Sequence, residues 1–315
     1  MAMGRIVFLE SLLFMITFSL FPKIYYTGKE PVTLIDTLET KNCFVSYVKI
    51  KGRNYLVKQK KDYKKQLAVV RDALSAYVAE DLAIAHEIYI IGSTKKVPGK
   101  RKQHWPATLH TLVGETIRKQ KNCKYKLLRI RQFWAQAQSF SEKGLTKSII
   151  NHMTWHKQLP VIVALDLMIG NSDRHCGNLC YDPVVDKFYA IDMDDTFNKD
   201  LCIIACKKIK SMMRSDIVFT QEEINALKQM KQALKLLLQK HKPKALIKKL
   251  YFFAKKAGFA KGCDLYSDRI RRKLLYFEKM ISKTNKSAYQ LLSVLDRIIK
   301  QKSLMLDNGE KNVVV

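Results

Sequence analysis

The chain has 315 residues, 47% of them apolar, which allows a substantial core and excludes a disordered or fibrous polypeptide. Its 57 Lys and Arg against 28 Asp and Glu give a formal net charge of +29. That excludes an acidic binding protein and leaves three explanations: an anionic membrane surface, nucleic acid, or a solvated lysine-rich exterior. The seven cysteines are an odd number, so they cannot all pair within the chain.

Residues 1–26 begin with Arg5 and an apolar run from Ile6 to Phe21 broken by Glu10. This reads as a leader, either an export signal or a membrane tether, and it is short for a membrane span. The cysteines look reduced, so the working compartment is expected to be reducing. Residues 43–50 (CFVSYVKI) and 54–60 (NYLVKQK) are β-branched and aromatic around a Lys-Gly-Arg turn, which predicts a hairpin. From Tyr63 to Ala85 the residues Leu67, Val70, Leu74, Val78 and Leu82 form one apolar stripe, predicting a long helix. Glu87 to Ile91 (EIYII) reads as a strand. Lys95 to Pro106 is a basic loop, with KKVPGKRK as its densest block.

Thr146 to Gln158 predicts a short helix. Pro160 opens the apolar helix VIVALDLMI, which runs into Gly170-Asn171. Phe188 to Ile191 is a brief strand delivering Asp192. Amphipathic helices follow at Gln221–Gln239, Pro243–Lys256, Asp264–Lys283 and Tyr289–Gln301. The expected division is a leader at 1–26, a small β-rich lobe at 27–112, a larger helical lobe at 113–306 and a frayed tail at 307–315. The fold class is α+β and bilobal.

The stretch 166–192 (DLMIGNSDRHCGNLCYDPVVDKFYAID) carries the chemistry. Asp173 lies five residues before Asn178, and a β-type run then ends in Asp192. Phosphoryl transfer needs one carboxylate to orient a hydroxyl and oxygen ligands to hold Mg²⁺ against nucleotide phosphates. Asp173, Asn178 and Asp192 suit those roles in that order. The pattern GNSDRHxxN…ID resembles the catalytic core of the phosphoinositide 3-/4-kinase-like group and its bacterial toxin-type and effector relatives. The likeness is sharp over residues 145–198.

The resemblance implies a protein-kinase-like fold and a kinase using ATP and Mg²⁺. The acceptor would be a hydroxyl of an inositol lipid or of a protein Ser/Thr, with an anionic membrane surface as a further partner and no specific nucleic acid. It further implies that His175 acts beside Asp173, as a base or charge stabiliser or as a loop brace. Arg174 belongs to the same implied catalytic set, with pinning the loop to a carboxylate as its expected contact. Lys58, on the strand YLVK, is the expected ligand of the nucleotide phosphates; the bland alternative is an edge-strand lysine. Its acidic partner is Asp72, with Glu80 as fallback. Asp is one methylene shorter than Glu, so that pair demands a closer helix. No glycine-rich loop precedes the hairpin, and the backbone of residues 40–42 with Lys41 is the substitute anion site. The glycine that usually follows the metal-binding Asp is also missing; Met193-Asp194-Asp195 stands there. Four cysteines, 176, 180, 202 and 206, have the spacing of a zinc cage or of buried fillers. Competing functions are a catalytically inactive kinase-fold binding module and a basic nucleic-acid-binding protein.

Overall fold

The computed structural model describes residues 31–39, 43–62, 65–84, 88–92, 106–111, 156–174, 178–182, 187–214, 218–263 and 265–311. The expected leader, the basic block at 95–102, most of the helix at 146–158, Lys41, His175 and Cys176 lie outside them.

The first part is a five-stranded antiparallel sheet in the order β1-β2-β3-β5-β4. Its strands are β1 (Val32–Glu39), β2 (Cys43–Ile50), β3 (Arg53–Lys60), β4 (Ile88–Ile91) and β5 (Ala107–Thr111). The expected hairpin is β2–β3. Ile50 pairs with Arg53, so the turn is the two residues Lys51 and Gly52, with φ of 49° and 80°. Positive φ at both positions matches the right-handed twist of the flanking strands. β1 is a strand that the sequence does not announce. It is an edge strand with most of its side chains in solvent and a register break between Leu34 and Asp36, so it carries no alternating burial pattern. β5 was not expected either. It lies between β3 and β4, and Ala107 to His110 are all buried. Burial on both faces removes the period-two signal.

One helix crosses this sheet, α1 (Ala68–Glu80), shorter than expected. Leu67, Val70, Leu74 and Val78 are buried as the stripe required, but Asp72 and Ser75 on other faces are buried too. α1 is therefore enclosed on several sides, with its apolar stripe in the core of the helical part. A smaller core of Val48, Ile50, Tyr55, Val57, Ile91, Ala107 and Leu109 belongs to the sheet.

The second part comprises α2 (Gln158–Ile169), the small antiparallel pair β6 (Leu179–Asp182) and β7 (Lys187–Ala190), α3 (Leu201–Met213), α4 (Gln221–Lys240), α5 (Pro243–Ala257) and α6 (Asp268–Lys311). Thr220 and Glu223 form a reciprocal capping box that starts α4. α3 was not expected. Cys202 and Cys206 sit four apart on its inward face and are buried in the common core. The two helices expected over 264–301 are one helix, and it continues through Lys311 into the stretch read as a frayed tail. The polar residues that looked like a break are buried and partnered. Ser287 donates to Asp200 at 2.7 Å, and Asn285 donates to the His241 carbonyl at 3.4 Å. Among the described residues no helix is long and apolar enough to cross a membrane. The architecture is α+β: a small sheet with one helix, then a larger helical part.

Candidate active site

Period-two alternation on β3 buries Tyr55 and Val57 on one face and turns Lys58 and Lys60 to the other. β7 ends at Ala190, and the chain after it passes beneath those lysines. Lys58 Nζ donates to Asp192 Oδ1 and to Asp194 Oδ2, the latter at 2.7 Å, and Lys60 pairs with Asp194 as well. Asp194 is enclosed, at 15% side-chain exposure, whereas Asp192 keeps 44% open to the cleft. Burial alone would make the Lys58 ammonium easier to deprotonate. Asp192, Asp194 and Asp72 outweigh that and hold its pKa above the ordinary lysine range. Burial likewise works against the Asp194 anion, but Lys58 and Lys60 hold it below the usual carboxylate range.

Asp72 comes to this cluster without touching Lys58. Its Oδ1 accepts from the backbone N–H of Met193 at 3.3 Å, and its Oδ2 faces His110 Nε2 at 3.4 Å. The expected Lys58–Asp72 ion pair is thus replaced by Lys58–Asp192 and Lys58–Asp194. The short Asp side chain, fully enclosed on α1, reaches the chain after Asp192 rather than the amine. Burial pushes its carboxyl up to about 7, against the pull of Lys58 and with the repulsion of Asp194 and Asp192 added. Glu80, the fallback, is exposed at the end of α1.

The loop after α2 is tied by one buried carboxylate. Gly170 ends the helix at φ 63°, and a Cβ there would lie 2.2 Å from the Lys199 carbonyl oxygen. Asp166 then takes hydrogen bonds from Asn171 Nδ2 and from Arg174 Nε and Nη2, each at 2.9 Å. Arg174 Nη1 donates to the carbonyls of Asn178 and, at 2.9 Å, Ile191. Its guanidinium therefore binds the loop to the end of β7. These contacts make it a positioning residue, not one facing the cleft with Asp173. Asn171 Oδ1 accepts from the Asp173 N–H at 3.1 Å, and Asn178 Nδ2 donates to the Asp173 carbonyl at 2.8 Å. The carboxylate of Asp173 is exposed. Because Asn178 spends its amide nitrogen on the loop, its amide oxygen is the atom it can offer a cation.

The chain from Asp192 to Asp200 is clamped on both sides. Asp192 itself has a left-handed φ of 51°, which Asp tolerates better than most residues. Met193 follows, and the turn is made at the Asp itself. Thr196 Oγ1 meets Ser75 Oγ of α1 at 2.9 Å, and Arg71 reaches Asp195 at 3.4 Å and the Thr196 carbonyl at 3.3 Å. The Phe197 N–H donates to the Ile169 carbonyl at 2.6 Å, and Asp200 caps α3.

The sequence reading missed four contributors. Lys60 was visible as the same-face neighbour of Lys58. Asp166 was visible as the lone acid in an apolar helix. Asp194 was noted only as an extra carboxylate, with nothing to reveal its lysine partners. His110 had no signal, because β5 was not recognised.

Comparison with known proteins gives the following. No family model matches the chain, and no curated protein does. Among solved structures it is similar to the Helicobacter pylori proinflammatory kinase CtkA, at TM-score 0.47 and 10% identity over 88% of this chain and 99% of that one. It is also similar to a chain of the Shewanella oneidensis MR-1 HipA–HipB–operator complex, at TM-score 0.41 and 8% identity, covering 92% of this chain and 72% of that one. An aminoglycoside phosphotransferase from Alicyclobacillus acidocaldarius matches at TM-score 0.31 and 12% identity, over 90% and 98% of the two chains.

Proposed function

We propose that the chain is a Mg²⁺- and ATP-dependent kinase of the phosphoinositide 3-/4-kinase-like type, transferring a phosphoryl group to a hydroxyl of an inositol lipid or a protein Ser/Thr. One observation carries the proposal. The Lys58 ammonium, projected from β3, meets the Asp192 carboxylate 134 residues later, beside a loop that presents Asp173 and Asn178.

The residues fit a magnesium ion. Asp192 and Asn178 supply hard oxygens, and Asp192 is half open to the cleft. Among the described residues no three His, Cys, Asp or Glu side chains form a cage of their own. Magnesium held by one or two carboxylates plus substrate phosphates needs none. When bound, the ion would neutralise charge on the phosphate oxygens. Lys58 would hold the nucleotide phosphates, releasing at least one of its carboxylate partners to do so. Asp173 would orient the acceptor hydroxyl, with His175 assisting. Arg174, through Asp166, keeps the two metal-binding positions in register. Asp72 fixes the turn after Asp192 through the Met193 N–H.

The second reading is a nucleotide-binding module without transfer activity. Asp194 favours it, since this second carboxylate stands where a glycine is usual and occupies the lysine. A thermal-shift titration with Mg²⁺-ATP, followed by label transfer from ATP, separates the two. Stabilisation with transfer supports the kinase, stabilisation without transfer supports the module, and neither sinks both. The apolar leader and cationic surface favour a membrane-associated or exported protein; cell fractionation of the expressed chain checks that.

A further inference from the structure

Away from the Lys58 cleft, α3 and α6 present two stripes of matched spacing. Ile203, Cys206, Lys207 and Lys210 line one wall of a groove of about 480 Å³, and Gln290, Ser293, Val294 and Arg297 line the other. Each set recurs at three, four and seven residues, the spacing of a single helix face. The volume falls within the range of small-ligand sites. Cys206 and Val294 are buried and make an apolar floor, while Lys207, Lys210 and Arg297 are exposed along the rim.

No acid balances these cations. Among the described residues none of the three has a carboxylate partner. Two acids on or beside these helices are engaged elsewhere. Asp200 caps α3 and accepts from Ser287, and Asp296 pairs with Lys231 of α4. Lys207 and Lys210, three residues apart on one face, repel each other, and Arg297 faces them across the groove. An anion seated between the walls relieves that repulsion.

We propose that this groove binds a compact soluble polyphosphate, a small scaffold carrying several phosphate esters. Clustered phosphates engage the cations of both walls at once. The Arg297 guanidinium offers a planar fork to one phosphate, the two lysines act as point charges, and Ser293 and Gln290 add neutral donors. None of the eight lining residues belongs to the Lys58 cleft, so the site stands independently of phosphoryl transfer.

The test is calorimetric titration of the full chain with inositol hexakisphosphate at about 0.15 M salt, where long-range attraction is largely screened. The groove variant is Lys207→Ala/Lys210→Ala/Arg297→Ala. The control is Lys228→Ala/Lys235→Ala/Lys248→Ala, which removes equal charge from exposed positions on α4 and α5. The expected result is one site per chain, weakened about tenfold or more in the groove variant and nearly unchanged in the control. Excess Mg²⁺-ATP does not compete, and the Mg²⁺-ATP thermal shift is the same in all three proteins. Three outcomes overturn the proposal: no saturable binding by wild type, undiminished binding by the groove variant, or equal losses in groove and control variants, which assigns binding to overall charge. Failure of the kinase reading shows separately, as loss of the Mg²⁺-ATP shift with groove binding intact.

Discussion

Asp192 carries two demands at once, a left-handed backbone and a carboxylate against Lys58. Asparagine tolerates that backbone and removes only the charge. Asp192→Asn is therefore expected to keep its fold by circular dichroism while losing the Mg²⁺-dependent part of ATP stabilisation in a thermal-shift assay. An undiminished Mg²⁺-dependent shift would contradict the magnesium role proposed for Asp192. Asp166 makes the opposite kind of contribution, since its carboxylate is spent on Asn171 and Arg174. Its carboxylate is enclosed with the Arg174 guanidinium, and truncating one partner leaves the other charge buried. Asp166→Ala should cost about 3–5 kcal/mol in urea unfolding, and a loss under about 1 kcal/mol would mean the loop is held otherwise. At this scale the lysine strand and the acid-bearing loop were legible, because Lys58, Asp173 and Asp192 stand out by residue type and spacing. The partner choices were not. Whether Lys58 meets Asp72, Asp192 or Asp194 depends on side-chain length and on how closely α1 approaches, and neither is written in the local sequence.

α1 and the turn after Asp192 hold each other, and proton binding at Asp72 reports that contact. The folded chain keeps this proton up to about pH 7, whereas the unfolded chain releases it near 3.8. Between those values the folded state binds more protons, so this contribution to stability falls as pH rises from about 4 to about 7. The unfolding free energy of wild type relative to Asp72→Asn should decline across that window, by a few kcal/mol in total. A difference independent of pH would show that the carboxyl is not so enclosed. At the end of α2, Gly170→Ala combines a left-handed φ with an approach of 2.2 Å to the Lys199 carbonyl. It should destabilise by more than about 1 kcal/mol in the same assay. A neutral result would mean that the loop shifts freely there. Elements with one buried face were legible in the sequence: the β2–β3 hairpin, the α1 stripe, α4 and α5. β1, exposed on both faces, and β5, buried on both, gave no alternation to read. α3 was hidden by cysteines that resembled ligands, although a spacing of four is also one helical turn. α6 was cut in two because Thr284, Asn285 and Ser287 look like a break until their enclosed positions are known.

Across the whole molecule, one core joins α1 to the helical part, while the sheet keeps a smaller core of its own. Lys58 belongs to the sheet side and Asp192 to the helical side, so their contact spans the two. The lobe order was legible because strands and helices follow one another in blocks along the chain. The net charge of +29 told less, since it does not say where unpaired cations converge; the groove between α3 and α6 emerged only once the helices were placed. Asp173, Asn178 and Asp192 are proposed to serve phosphoryl transfer beneath Lys58. The most direct measurement follows the γ-phosphate of labelled ATP, to protein, lipid or water, with Mg²⁺ present or chelated, in wild type, Asp173→Asn and Asp192→Asn. Wild type should show Mg²⁺-dependent turnover, and each variant should lose about a hundredfold or more. Equal turnover in all three proteins, or none in wild type, would contradict that role.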